Sequence, residues 1–238
     1  MTSNIQLSII IPCFNEKNTL EEVIEAVVNS DKLGMTFEII LVDDGSSDES
    51  KEIISALSKN FQELQVKTHE KNFGKGAALK TGIKVAKGEI ILVQDADLEY
   101  DTSDYPRLLK PFMDGKADVV FGSRFKSSEA GRVLYFWHSV GNRLLTFLSN
   151  MMTNLNLTDM ETGYKVFRIE ILNKLDIKEK RFGVEPEFVA KIAKLKPLPR
   201  IYEVGISYFG RTYEEGKKIG WKDALRALYC IFKYKFLD

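Results

Sequence analysis

Short apolar runs alternate with stretches of helical periodicity through the first half of the chain. The apolar runs are rich in β-branched residues and predict strands at 7–11, 37–42 and 89–93. The periodic stretches predict helices at 17–29, 48–58 and 75–85. This βαβαβ series has strands that are apolar throughout their length. It therefore predicts an α/β fold, with a mostly parallel central sheet that helices cover on both faces.

The pattern changes in the second half of the chain. A further strand is predicted at 119–121, and from about residue 133 the sequence predicts a long aromatic-rich helix, a loop, a short strand and more helices. The last helix, 221–236, is amphipathic and basic. It fits a membrane interface and fits equally well a helix packed on the core. No internal repeat, low-complexity segment or Gly/Ser linker interrupts the chain, which predicts one domain over 1–238.

Polar residues follow three of the predicted strands, where a parallel sheet places its ligands. After the second strand, Asp43 and Asp44 lead into a turn at Gly45 and Ser46. Carboxylates at this position accept hydrogen bonds from ribose hydroxyls or a base edge, which predicts a ligand site. Asp44 and Ser46 fit equally well the capping of the following helix.

Three acidic residues at alternate positions, Asp95, Asp97 and Glu99, follow the third strand. Mg²⁺ and Mn²⁺ prefer carboxylate oxygens, and one or two of these with diphosphate oxygens form a common site. An Asp-x-Asp is also what a solvated acidic turn contains. Its position directly after a buried strand favours a metal site at Asp95-Ala96-Asp97.

Candidate phosphate-binding groups occur in three places. Gly74 and Lys75 open a helix, where backbone N–H groups suit phosphate, although a glycine turn with a solvated lysine has the same pattern. Arg124 follows the strand at 119–121. The loop 211–218 contains Arg211, Lys217 and Lys218, and it could close on a diphosphate leaving group or be a solvated turn. The dinucleotide glycine pattern lacks its third glycine, and no Gly-Lys-Ser/Thr loop occurs, which disfavours dehydrogenase and P-loop functions.

Asp159 and Glu161 stand just before the later short strand. If the acceptor of a transfer reaction is a hydroxyl, one of them is a candidate general base. If the acceptor is already a phosphate anion, no base is required.

Composition narrows the functional class. The 34 Lys and Arg residues balance the 34 Asp and Glu residues, so no global field favours a nucleic-acid partner. Two cysteines and two histidines are too few for a structural zinc site or a disulfide scaffold, and a reducing cytoplasm is expected. No basic leader and no run of about 18 apolar residues is present, so we expect a cytoplasmic protein, soluble or peripheral on the cytoplasmic face of a membrane.

The ordered set of motifs resembles family 2 glycosyltransferases of the GT-A fold. The likeness rests on segments 12–16, 42–48, 94–97 and 122–124, and it covers nearly the whole chain. The later segments 159–165 and 211–218 are similar to those of dolichyl- or polyprenyl-phosphate sugar synthases.

This resemblance implies an inverting transfer of a hexose from GDP-mannose or UDP-glucose to a polyprenyl phosphate, with Mg²⁺ or Mn²⁺ at the diphosphate. It implies a nucleotide-sugar half over 1–125 and an acceptor half over 126–238. By matching position, Asp95 and Asp97 would hold the metal, with Glu99 where relatives often have glutamine. The remaining implied contacts are Pro12, Phe14, Glu16, Asp43 and Asp44 at the nucleoside, and Arg124, Arg211 and Lys217 at the phosphates. Near the helix from 133 to 154, the acceptor phosphate would meet Arg132, His138, Asn142 and Arg143.

Two other functions remain open from the sequence. A transferase with a saccharide, lipid or protein hydroxyl as acceptor has the same donor motifs, and so has a nucleotide-sugar-binding module without catalysis. A nucleotidyltransferase would share the sheet and the carboxylates. It is disfavoured because no basic Gly-rich loop follows the first strand.

Overall fold

A computed structural model describes residues 5–126, 132–133, 135–211 and 220–237, apart from the side chain of Trp221. Seven strands form its sheet. They are β1 (Leu7–Cys13), β2 (Phe37–Asp43), β3 (Leu64–Thr68), β4 (Ile90–Val93), β5 (Val119–Ser123), β6 (Lys165–Arg168) and β7 (Ile201–Gly205). The predicted apolar runs lie in strands, except that β4 begins at Ile90 rather than at residue 89, and β1 and β2 extend beyond their runs to Cys13 and Asp43.

The strands lie in the order β3-β2-β1-β4-β6-β5-β7. β6 pairs antiparallel with both β4 and β5, and every other neighbouring pair is parallel. The predicted α/β class with a mostly parallel sheet is therefore confirmed. Because β6 runs backwards, the segment that precedes it lies at the same edge of the sheet as the carboxyl ends of the other six strands.

In the part of the chain that the structure describes, eight α-helices connect and cover the strands. They are α1 (Leu20–Asn29), α2 (Ser50–Asn60), α3 (Lys75–Val85), α4 (Tyr105–Met113), α5 (Phe136–Thr153), α6 (Ile169–Leu172), α7 (Val184–Lys194) and α8 (Trp221–Phe236). The starts of α3 and α8 agree with the prediction. α2 begins at Ser50 rather than 48, because the Asp48 carboxylate accepts a hydrogen bond from the Ser50 N–H and forms a turn there. No helix within the described residues is long and apolar enough to cross a membrane.

Alternate residues of the central strands pack into two separate hydrophobic cores, one on each face of the sheet. Ile9 and Ile11 of β1 pack with α1, α2 and α4 on one face of the sheet. Ile10 packs with α3, α7 and the inner side of α5 on the other face. A strand buried on both faces must be apolar at every position, which explains why the sequence shows continuous runs instead of alternation.

Candidate active site

A cleft of about 960 Å³ lies at the edge of the sheet where the parallel strands end. Most of the residues predicted for the site line it. They are Pro12, Phe14, Glu16, Asp44, Lys75, Asp95, Ala96, Asp97, Glu99, Arg124, Glu161 and Arg211. The structure thus brings together motifs that are up to 199 residues apart in the chain, as Pro12 and Arg211 are.

Hydrogen bonds from two tyrosines fix the residue that precedes the acidic turn after β4. The Gln94 side-chain oxygen accepts hydrogen bonds from the hydroxyls of Tyr105 (2.9 Å) and Tyr164 (2.7 Å). Its amide donates to the Asp95 carbonyl at 2.9 Å. At the tip, Leu98 has a φ of +59°, a conformation that is strained for a branched side chain. The turn is therefore fixed by its surroundings, with Asp95, Asp97 and Glu99 held at the cleft.

Arg211 is the cation that the acidic turn shares with the first loop. Its guanidinium donates to Asp97 Oδ2 at 3.0 Å and to Glu16 Oε2 at 3.0 Å. Its backbone N–H donates to Glu99 Oε1 at 2.7 Å. The chain after β7 therefore closes over the ends of β1 and β4, and the predicted loop cation lies beside the predicted metal ligands.

Positive charge does not fully balance this group of carboxylates. Burial, followed by the charges of Asp95 and Glu99, raises the pKa of Asp97 to about 7, although Arg211 opposes the shift. Asp95 has its own cation, because Lys75 Nζ lies 2.7 Å from Asp95 Oδ1 and 3.1 Å from Glu185 Oε1. Burial alone would lower the pKa of Lys75, but Asp95 and Glu185 raise it above the usual value. A further cation at Asp97 would relieve the remaining repulsion.

The contacts of Asp95, Asp97 and Glu99 show how well these three predicted ligands fit a divalent metal. Within the described residues, no three His, Cys, Asp or Glu side chains are arranged to hold a metal ion. The two oxygens of Glu99 bind the Tyr208 hydroxyl (2.8 Å) and the Arg211 N–H, and those of Asp97 accept from the Glu99 N–H (3.2 Å) and the Arg211 guanidinium (3.0 Å). Each of these oxygens keeps a lone pair, so Glu99 stays a predicted ligand, as Asp97 does. Asp97 lines the cleft and is short of cations, and one or two carboxylates with diphosphate oxygens suffice for Mg²⁺. The residues fit a cation that is shared with a diphosphate.

The acidic pair after β2 supports the cleft from below. Asp43 is buried and accepts a hydrogen bond from the Ser46 N–H at 2.9 Å, while the Ser46 hydroxyl accepts from the Asn15 N–H at 3.0 Å. Neither side chain is among those that line the cleft. Asp44 lines it but accepts from the N–H groups of Phe73 and Gly74 and contacts His69 at 2.7 Å. The predicted nucleoside contacts of Asp43 and Ser46 do not match these positions, because both side chains hold neighbouring loops.

The glycine turn before α3 has a packing role. Gly74 has a φ of +103°, which side chains rarely adopt, and a Cβ there would lie 2.5 Å from the Lys180 carbonyl oxygen. A Cβ on Gly76 would lie still closer to the Glu179 carbonyl oxygen. The two glycines let α3 start against the segment 179–181. Lys75, the predicted phosphate ligand of this turn, is directed to Asp95 and Glu185.

Arg124 and Asp159 form a buried ion pair below the acceptor side of the cleft. Nε and Nη2 of Arg124 donate to the two oxygens of Asp159, each at 2.7 Å, and Asn142 donates to the same carboxylate at 3.0 Å. Burial alone would raise the pKa of Asp159, but Arg124 and these hydrogen bonds lower it below the usual value. A fully buried carboxylate in a bidentate pair is a poor proton acceptor. The predicted role of Asp159 as a base does not fit this geometry.

Glu161 has the opposite surroundings. Its Oε1 is buried without a hydrogen-bond partner. Burial, followed by the charge of Glu185, raises the pKa of Glu161 to about 7, while Lys165 and Arg124 oppose the shift. Of the two predicted base candidates, only Glu161 lines the cleft and lacks a cation bonded to it.

The acceptor-side residues are divided between the cleft and its support. Arg132, His138 and Asn142 line the cleft. The guanidinium of Arg143 lies over the Phe125 ring at 5.3 Å and is not among the lining residues. Lys217 falls in 212–219, outside the described residues.

Sequence reasoning missed three lining residues that organise the site. Glu185 joins Lys75 to Lys165, Tyr208 holds Glu99, and the Tyr100 hydroxyl accepts a hydrogen bond from the Gly163 N–H at 2.7 Å. A Cβ on Gly163 would lie 2.3 Å from Asp95 Oδ2. An acidic residue in the first turn of a helix is a common capping choice, so Glu185 gives no signal of its own in the sequence.

Comparison with known proteins places these features in a family. A model of the family described as Glycosyl transferase family 2 matches residues 8–176. The chain is 30% identical over 235 residues to an uncharacterized protein of Methanocaldococcus jannaschii, covering 94% of this chain and 93% of that protein. It is 26% identical to a dolichol-phosphate mannosyltransferase of Pyrococcus furiosus, covering 97% of this chain and 65% of the relative. The chain therefore spans slightly less than two thirds of the mannosyltransferase.

Solved structures share the fold at lower identity. Glucosyl-3-phosphoglycerate synthase of Mycobacterium tuberculosis, in complex with Mn²⁺, UDP and phosphoglyceric acid, superposes with a TM-score of 0.75. The identity is 19%, and the match covers 98% of this chain and 79% of that one. The same enzyme with Mg²⁺ and UDP gives a TM-score of 0.73 at 20% identity, covering 98% and 80%. This likeness shows the fold, and it confirms the expected GT-A architecture.

Proposed function

Because this chain belongs to glycosyl transferase family 2, we propose that it transfers a hexose from a nucleotide-diphosphate sugar to a polyprenyl phosphate. The observation that carries the proposal is the acidic turn 95–99 at the end of β4, which shares Arg211 with Glu16 at the cleft. The named relatives support the acceptor, since the Pyrococcus furiosus protein is a dolichol-phosphate mannosyltransferase. A second relative, 26% identical over 90% of this chain and 62% of its own length, is a dodecaprenyl-phosphate galacturonate synthase of Rhizobium johnstonii.

The donor is proposed to occupy the part of the cleft formed by residues 1–125. Pro12 and Phe14 at the end of β1 offer an apolar surface for a base, and Glu16 lies next to them. The diphosphate would lie by Asp95 and Asp97, where Arg211 supplies positive charge. Asp43, Asp44 and Ser46 keep this half in shape, as their contacts with backbone N–H groups indicate.

The proposed reaction is one displacement with inversion at the sugar. An oxygen of the acceptor phosphate attacks C1 of the hexose, the bond from C1 to the diphosphate oxygen breaks, and the nucleoside diphosphate leaves with the electron pair. Arg211, together with Lys217 as the sequence predicts, would neutralise the charge that develops on the diphosphate. A bound Mg²⁺ or Mn²⁺ would supply further electrostatic stabilisation of the leaving group, with Asp97 and Asp95 as its protein ligands.

The acceptor is proposed to enter through the half formed by residues 126–238. Arg132, His138 and Asn142 line the cleft there and would receive the phosphate. Arg124 would contribute positive charge while its Nε and Nη2 stay on Asp159. A phosphate oxygen is already anionic, so this reaction needs no general base.

One observation favours a second candidate function. Glu161 lines the cleft with a buried, unpaired oxygen and a pKa raised to about 7, which suits a group that takes a proton near neutral pH. A transferase that acts on a hydroxyl acceptor would use such a base.

A donor and acceptor screen tests the proposal. GDP-mannose and UDP-glucose are each incubated with the protein, Mg²⁺ or Mn²⁺, and one of two acceptors that differ only in the phosphate, a polyprenyl phosphate and the free polyprenol. The proposal expects release of nucleoside diphosphate with the phosphate acceptor only. Release with the free alcohol, abolished in Glu161→Gln, would favour the second candidate and overturn the first.

A further inference from the structure

The outer side of the acceptor half carries an unusual amount of exposed apolar surface. On α5, the exposed apolar residues Trp137, Val140, Leu144, Phe147 and Met151 recur three and four positions apart and form one stripe. On α8, the residues Leu225, Tyr229, Phe232 and Phe236 form a second stripe with the same spacing. Exposed apolar stripes of this kind are typical of helices that contact a protein or a membrane surface.

The two stripes lie on neighbouring helices. Helix α5 packs against α8, and both pack against α7. The buried residues of α8, Ala227, Cys230, Ile231 and Tyr234, lie on the inner side of that helix. We call the exposed outer sides of α5 and α8 the helical face.

The charges on these two helices favour an anionic partner. Helices α5 and α8 together contain five Lys or Arg residues, Arg143, Lys222, Arg226, Lys233 and Lys235, and one acidic residue, Asp223. Glu179 from a neighbouring loop binds Arg226 at 2.8 Å and Lys233 at 3.0 Å, and it offsets one of these cations. The two helices therefore combine exposed apolar stripes with an excess of positive charge. A second copy of the same face would bring like charges together, whereas an anionic lipid surface would complement them.

The helical face also runs into the cleft. Val133, Tyr135 and Trp137 line the cleft while they are 56–94% exposed. A long-chain acceptor whose phosphate lies in the cleft would therefore leave it along apolar surface.

We propose that the helical face of α5 and α8 lies on a phospholipid bilayer that contains anionic lipids, with the cleft opening at the level of the headgroups. The apolar stripes enter the interface, and the cations meet the headgroups. This inference deepens the proposed function. The helical face delivers the acceptor to the cleft only if the proposed function, transfer to a polyprenyl phosphate, holds. The surface itself can be tested without donor or acceptor.

Vesicle flotation tests the face directly. The protein is floated with vesicles of phosphatidylcholine and phosphatidylglycerol, and in parallel with phosphatidylcholine alone, both without polyprenyl phosphate. Wild-type protein is expected to float with the anionic vesicles and to be released by salt. The double variant Leu144→Gln and Phe147→Gln is expected to bind at least about tenfold more weakly, because two apolar side chains leave the interface.

Matched controls exist at the opposite edge of the sheet. Leu198 and Met113 are 53% and 54% exposed, close to the 56% and 59% of Leu144 and Phe147. The double variant Leu198→Gln and Met113→Gln should float like wild type. For the charge, Lys235→Glu on α8 is expected to weaken binding about fivefold or more, and Lys51→Glu on α2 should not. Thermal unfolding checks that each variant is folded.

Three results would overturn the inference. They are wild-type protein that stays at the bottom with anionic vesicles, a helical-face variant that floats as well as wild type, and a control that loses binding equally. Sedimentation velocity on the same samples identifies the rival occupant, since a dimer that Leu144→Gln and Phe147→Gln dissociates would assign the face to a second copy. Failure of the proposed function is a separate result, with vesicle binding intact but no transfer to polyprenyl phosphate in detergent. In that detergent assay, the double variant Leu144→Gln and Phe147→Gln should transfer sugar at the wild-type rate if both proposals hold.

Discussion

The acidic turn 95–99 and the acidic segment 159–161 lie at the same edge of the sheet, yet their charges are handled differently. In the turn, three carboxylates lie close together, and the pKa of Asp97 rises to about 7 because burial, Asp95 and Glu99 outweigh Arg211. In the segment, Asp159 is fully buried, but the bidentate bond from Arg124 lowers its pKa.

This difference in charge distinguishes carboxylates that can bind a ligand from a carboxylate that stabilises the structure around the cleft. A group of carboxylates that is short of positive charge gains from a cation that arrives with a ligand. Asp97 shares Arg211 with Glu16, whereas Arg124 binds both oxygens of Asp159. A carboxylate with a bidentate arginine gains little from a further cation, and its loss leaves the arginine without its partner. Both places have acidic residues at the same edge of the sheet, so the surrounding charges decide the role.

The largest effect is expected at the acidic turn. Asp97→Asn keeps the shape of the side chain but removes the charge that would hold the metal, so kcat should fall by about 10³-fold or more. The melting temperature should not fall, because the substitution also removes repulsion from Asp95 and Glu99. Steady-state kinetics and thermal unfolding measure the two effects, with Asp114→Asn, a surface residue paired to Lys110, as the control. An active Asp97→Asn enzyme would remove the distinction between the two acidic regions.

The second effect is on stability. Asp159→Asn leaves the partly buried guanidinium of Arg124 without its counter-charge, and breaking a largely buried pair costs about 3 kcal/mol of unfolding free energy. The wild-type contribution is present above the usual aspartate pKa and is lost as the pH falls through the lowered pKa of Asp159. Urea unfolding at neutral and acidic pH should show the difference between variant and wild type shrinking in acid. Equal stability of the two proteins at neutral pH would contradict the assignment of Asp159 as a support.

A smaller loss is expected at the cation shared by the turn and the first loop. Arg211→Gln removes positive charge from the proposed diphosphate site and should lower kcat/KM by about 100-fold. Arg200→Gln is the matched control, since Arg200 forms an exposed pair with Asp118. Kinetics with the best donor measure both variants. Equal losses in the two would show that Arg211 has no specific role at the donor.

The smallest effect is expected at Glu161. If the acceptor is a phosphate, Glu161→Gln should change kcat by less than about tenfold and leave its pH profile unchanged. Stability should respond more clearly, because a carboxyl with a raised pKa stabilises the fold at low pH and loses that contribution as the pH rises through about 7. Unfolding free energies between pH 5 and 8 should therefore fall for wild type relative to Glu161→Gln. A kcat that rises through pH 7 and is lost in the variant would make Glu161 a base.

The sequence predicts the central strands because they are buried on both faces. It does not predict the edge strands β3 and β7, which are only partly buried. Each central strand must be apolar throughout, so a run of consecutive apolar residues marks its position, as in β1 and β2. The polar residues after these strands then mark the cleft. Helix α3 was predicted with its observed bounds because the glycine turn at its start is a strong local signal.

The sequence could not predict how the carboxylates are paired. The partner of Asp159 is Arg124, 35 residues away, and the partners of Lys75 include Glu185, 110 residues away. These pairs follow from the reversed direction of β6 and the packing of α7, which are set by tertiary contacts. Local pattern therefore located the site but assigned Asp43 and Asp159 to direct roles that their partners do not fit.

Transfer of label to an organic-soluble product tests the central claim most directly. Wild-type protein and Asp97→Asn are incubated with a nucleotide-diphosphate sugar labelled in the hexose, a polyprenyl phosphate and Mg²⁺ or Mn²⁺, and the organic phase is counted. We predict that wild type moves the label into that phase, that Asp97→Asn does not, and that chelation of the metal abolishes the transfer. No organic-soluble label from either GDP-mannose or UDP-glucose, or equal label from wild type and Asp97→Asn, would contradict it.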